Sequence, residues 1–171
     1  PASAPRIEKT YSYIVVGAGS AGCVVARRLL DGCDGTILLV DAGGAGDGID
    51  SLRAPPRWVE NIGAPHDWGY TYAPSDCVSG RSVFLSRGKV LGGSGRTNAL
   101  VWARGQKSDF DSWAAEGAQG WDYDSVLPYF RRSEDWEDGA SALHGAGGPV
   151  RVERAHDLHP VATALIEAGQ A

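Results

Sequence analysis

Tyr13-Ile-Val-Val-Gly17-Ala-Gly19-Ser-Ala-Gly22 decides the fold: an apolar run meets three glycines and passes directly into a helical pattern. It reads as strand, tight turn, helix. Such a turn leaves backbone N–H groups unpaired at a helix N-terminus, where the helix dipole adds partial positive charge, so a pyrophosphate is its natural ligand. Gly17 permits the turn, Gly19 lets the backbone approach the phosphates, and Gly22 lets the helix pack on the strand. A G-x-G-x-x-G on its own carries little weight. It gains weight from a preceding strand, a following helix and an acidic residue closing the next strand, and all three are present. Gly22, Val25, Ala26 and Leu29 share one helical face, Asp31 to Gly35 makes a loop, and Thr36-Ile-Leu-Leu-Val40 makes a strand ending in Asp41. The Asp41 carboxylate suits a ribose cis-diol and would repel a 2′-phosphate, which favours an unphosphorylated adenosine. NAD and FAD fit this turn equally.

Working outward, the 171 residues suffice for one domain with a core, but Pro1 stands where an initiator Met would, no Met occurs, and a helical pattern runs up to Ala171. The expectation is an incomplete N-terminal fragment. Hydrophobic content of 43%, 22% charged residues and net charge −5 describe an ordinary soluble domain with no general attraction for nucleic acid. No apolar run approaches the roughly 20 residues that span a bilayer, and Pro1 to Lys9 is a polar leader without signal-peptide layout. A transmembrane segment is not expected. A cytoplasmic setting is favoured, with an already cleaved secretion signal left open. Cys23, Cys33 and Cys77 lack zinc or disulfide spacing, and Cys23 belongs to packing in the first helix.

Ala42 to Gly48 is a glycine-rich loop whose start, Ala42 and Gly43, lies beside the adenosine site. Four prolines between Ile49 and Pro74 exclude long helices and central strands there. Asp67 to Tyr72 alternates like a short strand, and by residue type alone Trp68 belongs to core packing ahead of ligand contact. A second glycine-rich stretch runs Arg87-Gly-Lys-Val-Leu-Gly92-Gly93-Ser94-Gly95-Arg-Thr-Asn98-Ala-Leu-Val-Trp102. Its glycines let backbone amides converge on an anion or a planar edge, Ser94 offers a hydroxyl, and Arg87 or Lys89 offers positive charge. Taken alone it is a ligand-contacting segment or a plain turn.

The two glycine segments together closely resemble the glucose-methanol-choline oxidoreductases, which are FAD enzymes. Asp67-Trp68, Arg104-Gly105, Asp109-Phe-Asp-Ser-Trp113, Gly120-Trp121, Val126-Leu-Pro-Tyr-Phe130 and His144 to Pro149 occur in the order seen in family members, so the resemblance covers residues 12–171. It implies an α/β, Rossmann-like FAD-binding domain with a nucleotide-binding βαβ at 12–45, a flavin-contacting segment at 87–105 and a helical and loop region at 106–171. Gly17, Gly19, Ser20 and Ala21 correspond to the pyrophosphate site, Asp41 to the usual glutamate on the ribose, with Ala42 beside it, and Trp68 to a residue near the adenine. Arg87, Val90, Gly92, Gly93, Ser94, Asn98, Ala99, Leu100 and Val101 match the segment along the pyrophosphate, ribityl chain and flavin ring. Thr97 stands where some members carry a flavin-linked histidine, so FAD is expected to be noncovalent. Arg96 departs from the small hydroxyl residues commoner there.

The resemblance implies alcohol oxidation by hydride transfer to flavin, with oxygen or another acceptor reoxidising it, and a catalytic histidine region outside this chain. The rest of the enzyme and a small alcohol are then the expected partners. A hydroxynitrile lyase, a fatty-acid photodecarboxylase or a noncatalytic nucleotide-binding subunit are the alternatives. His66, His144, His156 and His159 have no identifiable nucleophile or metal-ligand pattern. Ser108 with Asp111 reads as a capping box, Asp122 or Asp124 caps the next helix, and Val126, Tyr129 and Phe130 form its buried stripe. Glu134 to Asp138 reads as a solvated end. Val150 to Val152 reads as a short strand, and Pro160 opens a helix with Val161, Ala164, Leu165 and Ala168 inward.

Overall fold

The computed structural model describes residues 10–170; the polar leader of residues 1–9 lies outside them. They divide into two compact units, one through Val101 and one from Trp102 onward.

In the first unit β1 (Tyr13–Val16) and β2 (Ile37–Val40) pair in parallel, Tyr13 opposite Ile37 and Val16 opposite Val40, with α1 (Ser20–Gly32) as the crossover. Runs of β-branched and large aliphatic residues favour the strands, and a parallel pair requires such a crossover. Ala26 is buried on α1 and Gly22 and Leu29 are half-buried, but Val25 is 49% exposed, so the packed face is narrower than its periodicity suggests. The approach is closest at Gly22, where a Cβ would fall 1.8 Å from the Gly17 carbonyl oxygen. Cys23 is likewise exposed rather than packed, its thiol donating to the Ala18 carbonyl at 3.3 Å.

The proline-rich stretch forms 3-10 turns, Asp50–Leu52 and Pro55–Asn61, and then β3 (Tyr70–Tyr72), antiparallel to β4 (Val83–Leu85). Asp67 organises the approach to this hairpin. Its carboxylate accepts from the amides of Gly63 and Gly69 at 2.9 Å each, from the Arg87 amide at 3.0 Å and from the Ser86 hydroxyl at 2.5 Å. Burial pushes its pKa up, but these four donors, led by Gly69, outweigh that and hold the carboxyl well below the usual carboxylate range. Because the folded value is depressed, the stabilisation is complete above the ordinary aspartate range and is lost as pH falls below it. Asp67→Asn, which presents an NH2 group to some of those donors, is expected to cost about 1–3 kcal/mol at neutral pH. The gap between the urea midpoints of the two proteins should begin to narrow below about pH 4 and keep narrowing as the pH falls further. An unchanged gap at acid pH would show that the carboxylate charge is irrelevant.

The second unit is centred on Phe110, buried in α2 (Lys107–Ala115) and ringed by Trp113, Tyr123 and Phe130 at centroid distances of 5.2, 6.0 and 5.6 Å. The capping box of α2 is Gln106 with Asp109, two residues earlier than Ser108 with Asp111; the Asp111 side chain instead accepts from the Tyr123 amide at the start of α3 (Tyr123–Ser133). Asp122 caps α3, accepting from the Ser125 amide at 3.0 Å. Val126 and Phe130 are half-buried as a stripe, while Tyr129 is 63% exposed.

Glu134 overturns the reading of its charged run. It begins β5 (Glu134–Trp136), which pairs in parallel with β6 (Val150–Val152), and its side chain is wholly buried. The Arg104 guanidinium donates to it at 2.6 Å, the Trp102 indole at 3.0 Å and the Gly145 amide at 2.8 Å. Desolvation raises the Glu134 pKa, and these donors more than reverse that. On α4 (Pro160–Gln170), Val161 and Leu165 are 60% and 69% exposed, so among the described residues the apolar stripe expected to face inward is uncovered.

Candidate cofactor site

The two glycine segments, far apart in sequence, meet backbone to backbone. Gly17 adopts φ +94° to end β1, and its amide donates to the Val40 carbonyl at 2.7 Å. Gly92 and Gly93 adopt φ +97° and +56°, conformations that favour glycine, and the Gly92 amide donates to the Ala18 carbonyl at 2.9 Å. A Cβ at Gly93 would lie 3.0 Å from the Gly19 Cα, and one at Gly88 would lie 2.5 Å from the Gly93 carbonyl oxygen. Glycine at these places is therefore a condition of the contact.

This junction borders a cavity of about 570 Å³, within the range of small-ligand and cofactor sites. One side carries Gly17, Gly19, Asp41 and Ala42; the other carries Arg87, Gly93 and Ser94, with Trp68 also on the wall. Half of the sixteen residues selected from sequence thus line one space. Ser20 and Ala21 lie at the start of α1, whose N-cap is Gly19 with no side-chain cap and whose first turn has no acidic residue. The helix end therefore presents uncompensated N–H groups and partial positive charge, a donor set suited to a phosphate.

Asp41 closes β2 as its sequence position suggests. One carboxylate oxygen accepts from the Ala18 amide at 2.6 Å and the other from the Gly43 amide at 2.7 Å. A carboxylate has about four acceptor positions, so capacity for a ribose hydroxyl remains. The shorter aspartate thus also braces the glycine turn. Opposite, the Ser94 hydroxyl accepts from the Gly88 amide at 3.1 Å, which leaves its proton to donate. The Arg87 guanidinium donates to the Ser86 carbonyl at 2.7 Å.

Trp68 is a wall residue and not core. It is 40% exposed, stacks on Tyr70 at 5.5 Å with 9° between planes, and has the Lys89 ammonium 4.8 Å from its ring centre. Val16, Val40, Tyr70 and Gly88 also line the cavity, although sequence reading did not select them. The alternation of Trp68, Tyr70 and Tyr72 was the available signal for Tyr70, because alternate strand residues share a face.

The remaining selected residues lie elsewhere. Val90 is buried and supports the turn from behind, Gly92 forms the bend, and Asn98 and Leu100 border a separate cavity of about 150 Å³. Ala99 and Val101 are exposed. Leu100 has φ +57° and its amide donates to the Asn98 side chain at 2.9 Å. The histidines have local partners: His66 the Asn61 side chain, His144 Glu134, His156 Glu137, and His159 the Val161 amide. Among the described residues no group of three or more His, Cys, Asp or Glu side chains is placed to hold a metal ion, and no helix is long and apolar enough to cross a membrane.

Comparison with known proteins agrees with this geometry. Residues 11–171 match the family described as GMC oxidoreductase. The chain is 41% identical over 163 residues to an oxygen-dependent choline dehydrogenase of Photobacterium profundum, covering 94% of this chain and 29% of that protein. It is 41% identical over 167 residues to the mitochondrial choline dehydrogenase of Homo sapiens, covering 94% and 28% respectively. Among solved structures, a pyridoxine 4-oxidase from Mesorbium loti superposes with a TM-score of 0.84 at 35% identity, over 94% of this chain and 32% of that one. A formate oxidase of Aspergillus oryzae RIB40, studied for its FAD modification, superposes with a TM-score of 0.75 at 31% identity, over 92% and 29%. The chain therefore spans about three tenths of the length of these relatives.

Proposed function

The chain belongs to the GMC oxidoreductase family, and on that premise we propose that it forms the FAD-binding part of an enzyme that oxidises an alcohol, with oxygen or another compound as final acceptor. The observation that carries this reading is the convergence of the Gly17–Gly19 and Gly92–Gly93 turns beside one cavity lined by Asp41. Residues 12–45 bind the adenosine and pyrophosphate: the α1 N-terminus faces the phosphates, Asp41 accepts from the ribose, and Trp68 and Tyr70 flank the adenine. Residues 87–105 continue toward the flavin, with Ser94 and Arg87 on the anionic centre and the backbone from Asn98 to Val101 along the ring.

FAD supplies the hydride-accepting chemistry when bound. The residues of this chain orient the cofactor and neutralise its phosphates; the histidine that takes the hydroxyl proton belongs to the remainder of the enzyme, joined or as a separate chain. Thr97 is buried at the position of the flavin-linked histidine of some members and has no nitrogen nucleophile in its side chain, so the cofactor is held noncovalently. The choline dehydrogenases and the pyridoxine 4-oxidase support a CH–OH substrate.

The test is anaerobic mixing of the full-length holoenzyme with a panel of primary alcohols. Bleaching of the oxidised-flavin band with equimolar aldehyde is the expected result. A flavin that stays oxidised with every alcohol, while the protein cleaves a cyanohydrin or decarboxylates a fatty acid under light, would overturn the alcohol-oxidising reading.

A further inference from the structure

The surroundings of Arg96 give it a specific task. It ends the 3-10 turn Gly93–Arg96, whose Ser94 borders the cofactor cavity. Its guanidinium reaches back over fifty positions to donate through Nη1 to the Ala45 carbonyl, and the same nitrogen lies 3.4 Å from the Leu91 carbonyl. Among the described residues no carboxylate pairs with it. The charge is therefore spent on main-chain carbonyls.

The loop that Arg96 holds is the one that leaves Asp41. Gly44 forms a parallel bridge with Val90, and the Leu91 amide donates to the Gly44 carbonyl at 3.0 Å. Gly43 approaches so closely that a Cβ there would lie 2.3 Å from the Val90 backbone. Beyond this zipped pair the loop turns at Gly46, φ +72°, where a Cβ would lie 3.2 Å from the Arg96 Nη1. Across the gap, a Cβ at Gly92 would lie 3.2 Å from the Arg96 Cβ. Two glycines thus make room for the arginine stem and head. Arg96 closes the far end of a ladder whose near end is Asp41, bonded to Gly43.

We infer that Arg96 is a positioning residue for the cofactor cradle, fastening the loop after Asp41 to the turn that carries Ser94 and so setting the spacing between the adenosine and pyrophosphate sides. The inference rests on the FAD-binding reading above. Without the clamp, the 45–48 end of the loop is free to swing, and Asp41 loses the fixed backing that Gly43 provides. Adenosine contacts then weaken while the α1 phosphate site persists.

The test uses full-length protein stripped of cofactor, titrated with FAD and separately with ADP, in the wild type and in Arg96→Ala, Arg96→Gln and Arg96→Lys. Arg96→Ala should weaken both ligands by about tenfold, the loss of one charge-assisted hydrogen bond. Arg96→Lys, which keeps one charged donor, should recover part of that loss, and Arg96→Gln less. The thermal midpoint of the stripped protein is measured in parallel. Equal FAD and ADP affinities in wild type and Arg96→Ala would overturn the inference, as would a loss that tracks the thermal midpoint alone and is not rescued by lysine. Failure of the wild type itself to bind FAD would instead sink the functional reading on which the inference stands.

Discussion

Gly22→Ala should leave the full-length protein without bound FAD, although it adds one methyl group. A Cβ on Gly22 would fall 1.8 Å from the Gly17 carbonyl oxygen and 3.0 Å from its carbonyl carbon. Both atoms are backbone, so no side chain can rotate away to make room. Either α1 lifts from β1 or the turn at Gly17 opens, and in both cases the free amides at the α1 N-terminus lose their common direction. Overpacking of this kind costs roughly 1–3 kcal/mol or more, and misdirected amides add to it, so a fall in FAD affinity of at least about a hundredfold is expected. Gly32→Ala supplies the control. It lies at the other end of the same helix, a Cβ there meets nothing within 4 Å, and the change should be neutral or stabilise by up to about 1 kcal/mol. Flavin retained in purified Gly22→Ala would contradict the close-approach argument.

The second large effect lies in the other unit. Glu134→Ala leaves the Arg104 guanidinium, only 14% exposed, without its carboxylate and leaves the Gly145 amide without its acceptor. Breaking a buried pair from one side costs about 3–5 kcal/mol, because the surviving charge stays desolvated. Since the folded Glu134 pKa is depressed, the stabilisation is present above the ordinary glutamate range and fades as pH drops below it. Glu134→Ala should therefore lower the urea midpoint strongly at neutral pH and less in acid. Replacing Glu134 and Arg104 together by methionine should recover much of the loss, since a well-packed apolar pair removes both charges. A single-variant cost under about 1 kcal/mol would mean that water already solvates the pair.

These two sites show why one part of the molecule was legible in its sequence and the other was not. Gly17, Gly19, Gly22 and Asp41 announce themselves because strand, turn, helix and second strand are local, and the constraint on each residue comes from neighbours within the βαβ unit. Gly92 and Gly93 stand out through family resemblance; the physical reason, the near contact of Gly93 with Gly19, is long-range and visible only in three dimensions. Glu134 was misread because Glu-Asp-Trp-Glu-Asp has the composition of a solvated end, and burial of one member depends on Arg104 and Trp102 some thirty positions earlier. Arg96 was equally opaque, since the carbonyl it holds belongs to a loop half a unit away in sequence. Trp68 misleads in the opposite direction: an aromatic in an alternating run suggests core, yet it faces the cavity beside Tyr70.

The central claim is that the cavity between the two glycine turns holds FAD without a covalent bond. Acid precipitation of the purified full-length protein, followed by mass analysis of supernatant and pellet, tests it directly. Equimolar FAD in the supernatant and a colourless pellet are expected. NAD in place of FAD, or flavin that stays with the pellet, would contradict it.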